Sequence, residues 1–74
     1  MNQKITRLQE AIEDMTLRMF EENGRICADP DELRTTVRIL TPLAAAFHSV
    51  DTKLIDQDQI YVRVLDRRLI MNAF

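Results

Sequence analysis

Asp29 to Ile55 read DPDELRTTVRILTPLAAAFHSVDTKLI, and this stretch decides the fold. Its first four residues, Asp29-Pro30-Asp31-Glu32, form the strongest helix-start signal in the chain. Asp29 suits the cap and Pro30 the first helical position. Glu32 stands where a capping box needs it, and Asp31 adds a favourable charge near the helix N-terminus. Two apolar stripes follow. Leu33, Val37, Leu40, Ala44 and Phe47 form one, and Leu40, Leu43, Phe47, Val50 and Leu54 the other, with Ile39 and Ala46 on a further side. A helix apolar over most of its circumference is central, with neighbours on both flanks. The spacing predicts a helix over 30–54. Pro42 lies inside it without a nearby glycine or polar loop, so a kinked but continuous helix is expected, with a break at Thr41-Pro42 as the alternative.

Upstream, Ile5, Leu8, Ile12, Met15 and Met19 are spaced 3, 4, 3, 4 and predict an amphipathic helix over 3–23. Asn2 is a possible cap. The opposite face carries three bases, Lys4, Arg7 and Arg18, and five acids, Glu10, Glu13, Asp14, Glu21 and Glu22. The same spacing suits a coiled coil, but it lasts less than three heptads. Leu17 and Phe20 lie beside the stripe. Gly24, the only glycine, is expected to close this helix in the left-handed region.

Downstream, Asp56 and Gln59 repeat the capping pattern, and Ile55 and Ile60 the staple, which starts a third helix over 57–72. Its expected apolar face is Val62, Leu65 and Leu69. Ile60, Tyr61, Val62 and Val64 are also strand formers, so the alternative is an α+β chain with a C-terminal β-hairpin over 60–73. Asp66-Arg67-Arg68 lacks the residues of a tight hairpin turn, and this favours the helix. The reading is an all-α single domain over 1–74. It is a three-helix small bundle or extended helical hairpin with a Pro-kinked central helix.

Composition narrows the function classes. At 74 residues the core is small and needs a staple. One cysteine, Cys27, allows no internal disulfide, and one histidine, His48, leaves too few ligands for a Cys/His metal site. Oligomerisation or a partner remains. The formal net charge of −2 offers no electrostatic attraction to nucleic acid or an anionic membrane. No run approaches the roughly 18 apolar residues of a membrane span. The N-terminus has no signal-peptide core, and a lone thiol suits the cytoplasm.

No residue pattern carries chemistry. Cys27 sits near acids that disfavour a thiolate, and reads as a small buried or half-buried thiol. His48 reads as a surface or helix-end residue. Asp29, Asp31 and Glu32, like Asp56 and Asp58, lack the spacing of a calcium loop and are explained by capping. No catalytic, cofactor, metal or small-molecule site is expected. Arg63, Arg67, Arg68 and Lys53 form the most basic patch, but four acids of the same segment balance them. Leu69-Ile70-Met71-Asn72-Ala73-Phe74 is an unusually apolar tail, which implies docking.

The expected function is a small non-enzymatic interaction protein: an adaptor, assembly chaperone or inhibitor of a larger machine, of the kind phages and plasmids encode. It would form a homodimer or bind a larger protein. The candidate interface is Leu17, Phe20, Ile39, Arg63, Arg67, Arg68, Ile70, Met71 and Phe74. The alternative is a small DNA-associated transcriptional regulator using the three arginines.

Overall fold

The computed structural model describes residues 3–22, 24–26 and 28–72, with Glu22, Arg25, Ile26 and residues 68–72 by their backbone alone. Three helices make an all-α bundle: α1 (Gln3–Phe20), α2 (Pro30–Phe47) and α3 (Gln57–Asn72). Glu21–Glu22 (β1) and Arg25–Ile26 (β2) form a two-residue antiparallel ribbon between α1 and α2, with Glu21 opposite Ile26 and Glu22 opposite Arg25. The radius of gyration is 12.2 Å, close to the roughly 11 Å of a compact chain this long. The bundle is therefore formed, and the extended hairpin is not. The C-terminal β-hairpin alternative is likewise replaced by helix throughout 57–72.

The starts of α2 and α3 are explained by their caps, while Asn2, the cap expected for α1, lies outside the described residues. Asp29 Oδ1 accepts the Glu32 N–H at 2.9 Å, and Pro30 opens α2. Asp56 Oδ1 accepts the Gln59 N–H at 3.0 Å and opens α3. The capping box expected at α3 is completed differently. Gln9 of α1 reaches across and accepts the Asp56 N–H at 2.9 Å, while its amide Nε2 donates to Gln59 Oε1 at 3.2 Å. A neighbouring helix thus does what Gln59 was expected to do, and ties α3 to α1.

The helix ends correct two expectations. α1 stops at Phe20, not residue 23. Gly24 has φ +76, left-handed as expected, but it serves the connection between the two strands. α2 stops at Phe47, not residue 54. The Ser49 N–H donates to Ala46 O at 3.2 Å and the Val50 N–H to Ala45 O at 2.8 Å. This is a Schellman closure, with Ser49 at φ 55 in the position glycine normally takes. A single 3-10 turn, Thr52–Leu54, then follows, capped by Asp51 Oδ1 on the Lys53 N–H at 2.9 Å.

α2 runs unbroken through Pro42, as expected. Thr41, fully buried, donates its hydroxyl to Val37 O at 2.7 Å one turn back. Thr16 of α1 does the same to Ile12 O at 2.8 Å. Both polar groups enter the core already satisfied.

Ile12, Leu33, Val37, Ile60 and Val64 are the fully buried large apolar side chains, with Leu8, Leu17, Ala28, Ala44, Ala45 and Ile55 buried around them. Each large one contributes about 1.5–3 kcal/mol through burial. On α3 the buried pair is Ile60 and Val64, one turn apart, whereas Val62 is exposed. Of the expected Val62–Leu65–Leu69 face, Val62 is thereby corrected, Leu65 packs partly buried against the core, and the side chain of Leu69 lies outside those described. Arg34 of α2 lies over the Tyr61 ring of α3, 4.1 Å from its centroid, and approaches Asp58 at 3.9 Å.

Candidate functional site

Two constellations stand out. The first lies between α1 and α3. Glu13 was expected on the solvated face of α1, but its side chain is only 4% exposed. Arg63 Nε meets Glu13 Oε2 at 2.9 Å, and an Arg67 terminal nitrogen meets Glu13 Oε1 at 3.2 Å. The same Arg67 nitrogen bonds Asp14 Oδ1 at 2.6 Å. The bonds from Gln9, Glu13 and Asp14 ascend both helices together, so α3 runs in the same sense as α1. Asp14 first, with Glu13, holds the Arg67 guanidinium above its ordinary pKa, against the opposing effect of burial. The folded-state pKa is raised, so this contribution is complete at neutral pH and is lost only in strongly alkaline solution.

Chemically this cluster is closed. Two guanidinium groups face two carboxylates, and the buried carboxylate accepts from both. Among the described residues, no buried side-chain nitrogen or oxygen lacks a hydrogen-bond partner, and no three His, Cys, Asp or Glu residues are grouped to hold a metal. Arg63 and Arg67 therefore act as struts of the bundle. Their charge is spent locally.

The second constellation is apolar and exposed. Ile39, Leu43 and Phe47, four residues apart on α2, are 57%, 63% and 85% exposed. Met19 of α1 is 62% exposed, and Met15 is exposed too. These residues share a side of the molecule. At about 100° per residue, Ile39, Leu43 and Phe47 lie about 140°, 180° and 220° round α2 from Arg34, which meets α3. By the same spacing Met15 and Met19 lie about 200° and 240° round α1 from Glu13, which also meets α3. The face of the α1–α2 hairpin turned away from α3 is thus lined with large apolar side chains. Ala46, also exposed, lies about 120° round and borders the row on α2.

The expected interface residues divide. Ile39 is on this exposed face. Leu17 is not: at 4% exposure it belongs to the core, because α3 packs on the Glu13–Leu17 side of α1. Phe20 is half-buried against the core. Arg63 and Arg67 serve the internal clamp. Arg68, Ile70 and Met71 lie on the last turns of α3, with side chains outside those described, and Phe74 and Cys27 lie outside the described residues. His48 is exposed at the end of α2, its ring edge-on to Phe47 at 5.2 Å. Sequence reasoning missed Leu43, Phe47, Met15 and Met19 as surface residues. The 3–4 spacing that suggested burial is the same for a covered and an uncovered stripe.

No helix among the described residues is long and apolar enough to cross a membrane. The chain matches no protein-family model, and comparison with curated proteins and with solved structures gives no match.

Proposed function

We propose that this chain is a small, non-enzymatic protein–protein interaction protein that works through the exposed α1–α2 face, as an adaptor, an assembly chaperone or an inhibitor of a larger assembly. The observation that carries the reading is the row Ile39, Leu43 and Phe47, all more than half exposed, beside Met15 and Met19. Single exposed apolar side chains are ordinary. A contiguous row on a small domain marks an interaction surface. The flexible methionines suit contact with a protein surface, since they adapt to its shape. The DNA-binding alternative loses support because Arg63 and Arg67, its main cations, are bound to Glu13 and Asp14.

A photo-activatable cross-linking residue at position 43, in cells making the protein, tests this. The control carries it at the exposed position 58 of α3. Protein adducts that form at 43, exceed those at 58 and disappear on adding Ile39→Asp are expected. Equal labelling at the two positions overturns the reading.

A further inference from the structure

We infer that the hollow where the start of α1 meets the end of α2 is a binding site for a small organic acid, a carboxylate carried on an apolar body. None of its lining residues belongs to the clamp of Glu13, Asp14, Arg63 and Arg67, or to the row Ile39, Leu43 and Phe47.

The observation is how the lining divides. The hollow has a volume of about 440 Å³, within the roughly 300–1,000 Å³ of small-molecule sites. Gln3, Lys4, Arg7, Leu8 and Ala11 line it from α1, and His48 lines it from the C-cap of α2. Leu8, which is buried, and Ala11 give it apolar surface. Every polar side chain around that surface can donate a hydrogen bond: the Gln3 amide, the Lys4 ammonium, the Arg7 guanidinium and the His48 imidazole. No carboxylate lines it. The acids of α1 are engaged elsewhere. Glu10 and Glu13 line the hollow between α1 and α3, and Asp14 is bonded to Arg67.

Arg7 decides the ligand. Arg63 and Arg67 are bound to Glu13 and Asp14, and Arg34 approaches Asp58, whereas Arg7 is exposed and forms no salt bridge among the described residues. Lys4 has a contact of its own within the chain and adds its field. A guanidinium presents paired N–H donors that match a carboxylate, and such charge-assisted bonds are about twice as strong as neutral ones. A bare inorganic anion would meet Arg7 and leave Leu8 and Ala11 wet. An uncharged apolar molecule would cover them and gain nothing from Arg7. A molecule with both parts uses both. The last carbonyls of α2 stand on the His48 side and disfavour an anion there. The carboxylate therefore goes to Arg7, and the apolar body lies over Leu8 and Ala11.

Titration of the full chain with octanoate, followed by amide chemical shifts in NMR, tests this. Octanol and acetate serve as the two halves of the ligand. Octanoate should bind saturably, one to one, with shifts centred on Arg7, Leu8, Ala11 and His48. Octanol and acetate should each bind about tenfold more weakly or worse, since each lacks one of the two contributions. Arg7→Glu, checked for helix content by circular dichroism, should weaken octanoate about tenfold or more. Arg18→Glu, at the other end of α1, and Leu43→Ser, on the exposed row, should leave it unchanged. Octanol binding as well as octanoate, or octanoate binding Arg7→Glu as well as the parent chain, overturns the acid as ligand. Shifts that follow Ile39, Leu43 and Phe47, or shifts that never saturate, overturn the site. Either failure leaves the cross-linking result at position 43 to stand or fall by itself.

Discussion

Ser49 holds the left-handed position that closes α2, at φ 55. A residue with a Cβ is strained there by about 1 kcal/mol relative to glycine. Ser49→Gly should therefore raise stability by about 0.5–1 kcal/mol in urea titration, and Ser49→Val should lower it. Glu13 presents the opposite kind of problem, a buried charge held by two half-exposed partners. Removing both partners strands the carboxylate, whereas removing the carboxylate releases two guanidinium groups that can hydrate. The double change Arg63→Met/Arg67→Met should cost about 3 kcal/mol or more, while Glu13→Met should be close to neutral. Equal losses in the two denaturation curves would contradict this account. Neither feature was legible in the sequence. Ser49 lacks the glycine that advertises a helix end. Glu13 sits among acids that do face water, and only the arrival of α3 separates it from them.

At the scale of the elements, local chemistry was legible and partners were not. Asp29 and Asp56 cap α2 and α3 where their spacing placed them, because a cap is made within four residues. The second half of the α3 cap comes from Gln9, 47 residues away from Asp56, a distance no motif spans. Gln9→Ala should cost about 1 kcal/mol, similar to Asp56→Ala. A double-mutant cycle of the two should show coupling, since both act on one helix start. Additive losses would mean that Gln9 and Asp56 stabilise the chain independently. Asn23-Gly24 carries the strongest short hairpin signal, but the glycine was read only as a helix stop. The amphipathic run before it extended through Glu22, which masked the change to a ribbon.

At the scale of the molecule, α2 is central, as its apolar circumference required, yet one of its sides is left uncovered by α1 and α3. Periodicity shows how much of a helix is apolar, and packing decides which part is used. The uncovered side should contribute little to folding. Ile39→Ser and Leu43→Ser, measured in dilute solution, should change stability by about 0.5 kcal/mol at most. Leu33→Ala, in the core, should cost about 3 kcal/mol. Large losses at Ile39 or Leu43 in dilute solution would place them in the fold.

The contact of Arg34 with Tyr61 has an optical consequence. Tyr61 is the only tyrosine and the chain has no tryptophan, so ultraviolet emission comes from one ring at the junction of α2 and α3. A charged group stands over that ring when the helices are docked. Intrinsic fluorescence thus gauges the seating of α3 without a label, and a step that frees α3 while α1 and α2 stay helical would change emission before circular dichroism.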